Sequence, residues 1–389
     1  MAWNSDVEIR NERILSIDII RGFSILGIFL VNMMSFHSPL LYLDPLQWWD
    51  HPIDRITYIL IDIFAQASFY PLFSMLFGYS MVLLLEKVQL RGQHFYRILV
   101  RRLLALLLFG IVHAFFIWHG DILIQYALLG FVLLPFLKLS GRSLFIAGIS
   151  FYTVPVLLIT MVLFFTSTVS PSLYDGEAVA QSIAIYQQGS FLDVTQQRAI
   201  DWMETNNLEN GPFLFISIFP LFLIGVGMAK LKWIQHHKVY RKRLLCMLIS
   251  TLVLGLSLKE LPYLVDGALY AEYVQDSVGG VSLAFFYGAL LILVSEKTKW
   301  LNSLALIGKM SISHYLFQSL VSSMIFYGYG FGLYGKVSLF SGTILVFVIF
   351  SLQIVLSRIW LKYFTFGPVE WLWRTVTYWK KVKLRKRVD

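Results

Sequence analysis

Stretches of about 20 apolar residues recur along the whole chain, and each is long enough to cross the hydrocarbon core of a bilayer as an α-helix. Hydrophobic residues make up 57% of the 389 residues and charged residues only 14%, so lipid rather than water is the expected solvent. The sequence therefore predicts an all-α, polytopic transmembrane helical bundle of about ten spans. The predicted spans are 14–36, 64–86, 100–118, 121–138, 143–166, 211–231, 242–264, 276–295, 304–327 and 338–363.

Lysine and arginine collect in alternate connections between these spans, and such connections are expected to be cytoplasmic. Basic residues follow the second, fourth, sixth and eighth spans, whereas the first and fifth connections are mainly acidic. The alternation predicts that both termini are cytoplasmic and that the chain lies in the plasma (inner) membrane of a bacterium. The net charge of +9 then reflects membrane topology, and no nucleic-acid partner is expected.

The whole chain, residues 1–389, is expected to form a single integral membrane domain. The polar connection 167–210 is too short to enclose a core of its own, and we interpret it as an extracytoplasmic cap of one or two helices. Residues 366–389 are predicted to form an interfacial helix followed by a basic cytoplasmic tail. Pro368 is placed to start that helix, and its tryptophans to anchor it at the membrane surface.

The cysteine and motif content excludes several chemistries. Cys246 is the single cysteine, so the chain has neither an internal disulfide nor a multi-cysteine metal site. The sequence contains no P-loop, no G-x-S-x-G elbow and no H-E-x-x-H motif. We therefore expect no metal and no bound cofactor.

Ionisable side chains within a span are candidate functional residues, because they are costly in lipid unless they face protein or water. Asp18 and Arg21 of the first span lie three residues apart and can form an ion pair. Asn32 returns to the same helix face eleven residues after Arg21, about 16 Å along the axis. The pair either locks helix packing or lets Arg21 receive an anion from the cytoplasm. We predict Asp18 and Arg21 as substrate-binding residues.

The third span repeats the eleven-residue spacing, with Arg102 at its cytoplasmic end and His113 deep within it. Histidine is suited to proton transfer near neutral pH, although a membrane histidine also serves as a hydrogen-bond donor in helix packing. Asp121 follows eight residues later and either caps the next helix or orients His113. We predict His113, Asp121 and Asn32 as catalytic residues and Arg102 as a substrate-binding residue.

The ninth span carries a further polar group in the segment KMSISHYLFQS. His314 and Gln318 lie four residues apart and share one helix face. They either bind substrate or form hydrogen bonds within the core. We include both among the predicted substrate-binding residues.

Five segments of the chain form a recognisable series: RILSIDIIRGFSILGIFLVN, FYPLFSMLFGYS, GIVHAFFIWHGDILIQYALLG, SHYLFQS and YFTFGPVEWLWR. In this order they resemble the YeiB-type family of bacterial membrane proteins (domain of unknown function 418). GDIL and GPVEWLWR are the most distinctive pieces. The resemblance implies a fold and a membrane location rather than a reaction.

The first span is similar, more distantly, to the opening helix of membrane acyltransferases, including the lysosomal heparan glucosaminide acetyltransferase. The shared D-x-x-R-G…V-N pattern comprises Asp18, Arg21, Gly22, Val31 and Asn32. This resemblance implies transfer of an acyl group from cytosolic acyl-coenzyme A across the membrane, by an intramembrane histidine that the asparagine assists.

The histidine of those acyltransferases follows the asparagine by eleven residues, and Leu43 occupies that position here. His37 and His51 are the nearest histidines in the chain. On geometric grounds we predict that His113 takes the role of the base.

The leading hypothesis is therefore an acyltransferase that uses acyl-coenzyme A as a co-substrate and acts on an extracytoplasmic or lipid-linked acceptor. Arg21 and Arg102 would bind phosphates, and Asn32 would donate to the developing oxyanion. One alternative is a transporter of a small solute or lipid, with spans broken near Pro71 and Pro220. Another is a non-enzymatic membrane sensor or scaffold. The expected partners are membrane lipid and a small-molecule or lipid-linked substrate, and the oligomeric state stays open.

Overall fold

The computed structural model describes residues 14–166, 174–265, 268–295 and 297–386, and these ranges are almost entirely helical. The main helices are α1 (Leu15–His37), α2 (Pro52–Phe64), α3 (Phe69–Leu90), α4 (Phe95–Phe116), α5 (Leu123–Leu133), α6 (Gly141–Thr166), α7 (Gly176–Gln188), α8 (Phe191–Thr205), α9 (Gly211–Lys230), α10 (Arg241–Lys259), α11 (Leu269–Val294), α12 (Asn302–Lys309), α13 (Ser311–Phe326), α14 (Leu339–Tyr363) and α15 (Pro368–Tyr378). Shorter helical turns occur at Leu40–Tyr42, Pro45–Trp48, Pro135–Lys138, Leu261–Leu264 and Lys299–Leu301.

The predicted all-α fold is confirmed, since the described ranges contain no β-strand. Two helices, α7 and α8, occupy most of the segment that was predicted as a cap. Residues 167–173 of that segment lie outside the described residues, as do the first 13 residues of the chain and the last three of the basic tail.

Seven helical segments within the described ranges are long and apolar enough to cross a membrane: α1, α2 with α3, α4, α6, α9, α11 and α14. Three predicted spans differ from these. Helix α5 is apolar but has only 11 residues, and α10 begins with three basic residues and ends in Lys259. The predicted span 304–327 is divided at Met310 into α12 and α13. The total of about ten spans and the orientation of the termini stay predictions.

The two prolines that were predicted to break spans behave differently. The chain leaves helical geometry between α2 and α3, where Ala67 has a φ of 54°. Pro71 follows in the first turn of α3. Backbone N–H groups in the first turn of a helix have no partner within the helix, so the missing N–H of proline costs no hydrogen bond there. Pro220 lies inside the continuous helix α9, so the predicted break at that residue is wrong.

Helix α1 packs against α3, α11, α12, α13 and α14, and glycine brings its backbone into contact with that of α12. A methyl group at Gly22 would overlap the carbonyl of Leu304, and one at Gly308 would overlap the carbonyl of Asp18. Small residues at such crossings let helices pack closely in lipid, where the hydrophobic effect does not drive association. The polar residues of α1 are therefore held at a fixed place in the bundle.

Helix α15 stabilises the interruption at Met310. Glu370 accepts hydrogen bonds from the backbone N–H groups of Ile312 at 2.8 Å and Ser313 at 3.1 Å, and so caps α13 from a distant part of the chain. Trp373 donates to the carbonyl oxygen of Arg102 at 2.8 Å, and the Arg102 guanidinium lies 3.5 Å from the centre of the Trp373 ring. The segment predicted as interfacial thus also connects α4 to α13.

The orientation of the chain can be tested at two exposed side chains in connections predicted to lie on opposite sides of the membrane. Leu208 is 96% exposed and Val239 is 80% exposed. In a chain whose Cys246 is replaced by alanine, Leu208→Cys should react with an impermeant thiol reagent in intact cells, whereas Val239→Cys should react only after lysis. Labelling in the opposite sense would reverse the predicted topology.

Replacing Glu370 by alanine should destabilise the fold, because two buried N–H groups at the start of α13 lose their acceptor. We expect the free energy of unfolding to fall by about 1–3 kcal/mol, measured as a lower melting temperature of the purified protein in detergent. Glu86→Ala removes an exposed carboxylate from α3 and is the control. Equal melting of Glu370→Ala and the unmodified chain would show that the cap contributes nothing.

Candidate functional site

A cavity of about 350 Å³ lies between α1, the α2–α3 interruption, α11 and α13. Its polar lining residues are Asn32, Gln66, Tyr70, Ser217, Tyr273, Asp276, Ser277 and Tyr315. Among the described lining residues, Asp276 alone has a charged side chain. A concave site with several convergent polar groups has the general form of a small-molecule binding site.

His113 and Asp121 form a fully buried pair beside this cavity. The imidazole Nδ1 of His113 lies 2.8 Å from Asp121 Oδ1, and neither side chain is exposed. Asp121 Oδ2 accepts a hydrogen bond from the N–H of Ile124 at 2.8 Å, so the residue both orients His113 and caps α5. Gly110 leaves room for this arrangement, because a methyl group there would lie 3.0 Å from Asp121 Oδ2.

The second imidazole nitrogen of His113 is available for chemistry. An ionised Asp121 can only accept a hydrogen bond, so Nδ1 carries the proton and Nε2 presents its lone pair. Nε2 is buried and has no hydrogen-bond partner among the described residues. The Tyr315 ring packs against this imidazole, 4.9 Å away centre to centre, and Tyr315 also lines the cavity.

The residues predicted from α1 and α4 divide between the two ends of the site. Asn32 lines the cavity. Asp18 Oδ1 lies 3.6 Å from Arg21 Nη1, and Arg21 also donates a hydrogen bond to the Ser80 hydroxyl. Arg102, which stacks on α15, experiences the charges of both Arg21 and Arg374. Arg21 and Arg374 thus lie within electrostatic range of Arg102 at this end of the bundle, and we call Arg21, Arg102 and Arg374 the arginine cluster.

His314 and Gln318 face a different neighbour. His314 Nε2 lies 2.6 Å from the Ser357 hydroxyl, and Gln318 donates to the side-chain oxygen of Gln353 at 2.9 Å. Gln353 in turn donates to the carbonyl of His314 at 3.1 Å. These bonds join α13 to α14, and neither residue lines the described cavity.

The sequence analysis missed a second set of ionisable groups, which reaches the cavity through Asp276. Lys259 is wholly buried, and its Nζ lies 3.1 Å from Asp276 Oδ1. Asp62 accepts hydrogen bonds from Tyr263 at 2.7 Å and from Gln275 at 2.6 Å. We call Asp62, Lys259 and Asp276 the charged triad.

A π-helical turn, Gln275–Gly280, positions this triad. Gln275 also donates to the carbonyl of Lys259 at 2.9 Å, which ties the turn to the end of α10. π-helical turns occur often at functional sites. Charged residues inside or beside the predicted spans 242–264 and 276–295 were the available signal, because an ionisable group within a span is a candidate by default.

Comparison with known proteins identifies the family. The family described as "Protein of unknown function (DUF418)" matches residues 228–380. The uncharacterized protein YxaH of Bacillus subtilis (strain 168) is 36% identical in an alignment that covers 97% of this chain and 98% of the relative. The chain belongs to the DUF418 family. The uncharacterized protein YeiB of Escherichia coli (strain K12) is 30% identical in an alignment that covers 94% of this chain and 96% of the relative.

In this DUF418 chain, Asp201 attaches the cap helices α7 and α8 to the bundle. Tyr42 and Tyr186 donate their hydroxyl groups to the Asp201 carboxylate at 2.7 Å and 2.6 Å. His119 Nδ1 lies 3.7 Å from the same carboxylate, and its Nε2 lies 3.3 Å from the Ser35 hydroxyl of α1. A carboxylate that the sequence analysis counted only as loop charge therefore connects the cap to the first helix.

The attachment of the cap should weaken in acid. Burial is the main cause that lowers the pKa of His119 below its ordinary 6.5. The charge of Asp201 raises that pKa, whereas the charges of Arg198 and His113 lower it further. An undocked cap exposes His119 and lets it take up a proton, so docking loses stability as the pH falls through about 6.5. The melting temperature should drop more between about pH 7.5 and about pH 5.5 in the unmodified chain than in His119→Gln.

His94→Gln, at an exposed histidine, is the control for that comparison and should keep the pH dependence of the unmodified chain. An identical pH dependence in His119→Gln would show that His119 does not couple the cap to pH.

Proposed function

We propose that this membrane protein is an acyltransferase that moves an acyl group from cytosolic acyl-coenzyme A to an acceptor bound in the cavity. The observation that carries the proposal is the His113–Asp121 pair, whose imidazole Nε2 has no partner among the described residues. A histidine held by a carboxylate, with its other nitrogen free, is the arrangement that a general base requires.

In this mechanism His113 Nε2 accepts the proton of the acceptor's hydroxyl or amino group as that group attacks the thioester carbonyl. A bond forms between the acceptor and the carbonyl carbon, and the carbon–sulfur bond breaks. The proton passes from the imidazolium to the departing sulfur, so coenzyme A leaves as the thiol. Asp121 stabilises the imidazolium through its 2.8 Å contact with Nδ1.

Asn32 supports the proposal from the other side, because it lines the cavity and its amide N–H groups can donate to an oxyanion. Tyr315 lines the cavity and packs on His113, so in the proposed transfer step its ring would border the path between acceptor and base. The Tyr315 hydroxyl donates to the carbonyl of Gly120 at 3.2 Å and also forms a hydrogen bond with the Ile122 backbone.

The arginine cluster supports an anionic donor. Guanidinium groups bind phosphate oxygens in a fork geometry, and three of them lie near the end of α1 that is predicted to be cytoplasmic. Arg21 is 24% exposed and therefore accessible to a donor, while Asp18 and Ser80 hold its side chain. Asn32 lies about 16 Å from Arg21 along α1, so the acyl group would extend between the helices towards the cavity.

Transport of a small solute is the second candidate. The interruption between α2 and α3 and the π-helical turn of α11 both lie in the cavity wall. Broken helices around a binding site are typical of transporters. A transporter does not need a histidine that accepts a proton from its substrate, so His113 distinguishes the two candidates.

The test is an acyl-coenzyme A transfer and hydrolysis assay on the purified chain, with a thermal melt of each variant. His113→Gln keeps a hydrogen-bond donor and acceptor but cannot take up a proton near neutral pH. We expect it to melt like the unmodified chain and to lose activity by about 10²–10⁴-fold. His94→Gln changes an exposed histidine and should keep full activity.

Three outcomes would contradict the proposal. An unmodified chain that binds no acyl-coenzyme A and turns none over removes the acyltransferase altogether. A fully active His113→Gln assigns that residue to packing. A fully active and normally stable His113→Ala removes both roles and moves the search for the base to His37, which is buried in α1, or to His51, which is exposed at the start of α2.

A further inference from the structure

We propose that the cavity binds a small molecule through a primary ammonium group, which Asp276 and Gln66 hold. This inference deepens the proposed function: it rests on that function only in identifying the molecule as the acyl acceptor. The mechanism above uses the lining residues Asn32 and Tyr315. It gives no role to the lining residues Gln66 and Asp276.

The negative charge of Asp276 favours a cationic ligand in this part of the cavity. Asp276 lines the cavity and keeps 45% of its side chain exposed although Lys259 contacts its Oδ1 at 3.1 Å. Gln275 donates both to the Asp62 carboxylate at 2.6 Å and to the Lys259 carbonyl at 2.9 Å, so Asp62 lies close to the Lys259–Asp276 pair. A cationic ligand would be attracted to the exposed part of the Asp276 carboxylate, whereas an anionic ligand would be repelled by it.

The hydrogen-bonding capacity of the wall also favours a donor-rich ligand. Gln66 lines the cavity, and its amide oxygen is buried without a donor among the described residues. A buried acceptor without a donor costs about 1–3 kcal/mol. An ammonium group has three N–H donors and no acceptor, so it can satisfy Gln66 and Asp276 together.

The backbone on this side of the cavity is irregular, as expected at a binding site within a membrane. Non-helical backbone at membrane depth is tolerated where it is buried in protein or lines a cavity. Gln66 lies in the interruption between α2 and α3, and Asp276 lies in the π-helical turn. Gly280 lets the two irregular segments touch, because a methyl group there would overlap the carbonyl of Ala67. Contact between the segments keeps the two acceptors on one wall.

A purely structural role for the triad fits these features less well. An ion pair that only held helices together would gain from burying both partners, since exposure to water weakens a salt bridge. Here the lysine is wholly buried and the aspartate faces the cavity. We therefore assign Lys259 as a positioning residue for Asp276.

The test is a binding titration of the purified full-length chain in detergent, without any acyl donor, followed by saturation-transfer NMR. The probes are serinol and glycerol, which differ only in an ammonium group in place of the central hydroxyl. We expect serinol to bind about tenfold or more tightly than glycerol, because a charge-assisted hydrogen bond replaces a neutral one. Asp276→Asn should reduce serinol binding to the level of glycerol.

Glu86→Gln, which neutralises an exposed carboxylate of α3 outside the cavity lining, is the control and should bind serinol as the unmodified chain does. If Asp276→Asn fails to fold, because Lys259 is left buried without a partner, the double variant Lys259→Met/Asp276→Asn removes both charges and should fold. It should bind serinol no better than glycerol. Equal affinity of the unmodified chain for the two probes would overturn the inference, as would undiminished serinol binding in either charge variant.

The two proposals fail in different experiments. Selective serinol binding without any turnover of acyl-coenzyme A would keep the ammonium site and remove the acyltransferase. Turnover that depends on His113, without selective serinol binding, would keep the acyltransferase and remove the ammonium site.

Discussion

Helix starts within an apolar bundle leave backbone N–H groups that lipid cannot satisfy, and in this protein carboxylates supply the missing acceptors. Asp121 accepts from Ile124 at the start of α5. Two others act across long stretches of sequence: Glu370 caps α13, and Asp54 accepts from the N–H of Phe340 at 2.8 Å. The same few groups thus fix where helices begin and how distant helices meet, and His113 is oriented by one of them. The orientation of His113 and the cap of α5 therefore depend on the same residue, Asp121.

The sequence predicted those features whose causes are local. Helices follow from runs of apolar residues, and the contact between His113 and Asp121 follows from a short turn between adjacent helices. The closeness of Asp18 and Arg21 likewise needs only helical periodicity. In each case the relevant partner lies within about two or three helical turns of the residue concerned.

Features with distant causes could not be predicted in this way. The apolar run around Met310 looks continuous, and the reason for its interruption is a carboxylate on α15. His314 and Gln318 share one face as predicted, but their partners belong to α14, which spacing alone does not reveal. The charged triad brings together α2, the end of α10 and α11, so its members looked like unrelated charges along the sequence.

The glycine contact between α1 and α12 has a consequence for the dimensions of the site. At Gly22 and Gly308 the backbones of α1 and α12 pack directly on each other without room for even a methyl group, so this contact fixes the position of α1 against α12. Arg21 and Asn32 are fixed points on α1, about 16 Å apart. A molecule that engages both must have its charged end and its reactive end separated by a comparable length. If the proposed function holds, the distance along α1 would exclude ligands that are too short, independently of the shape of the cavity.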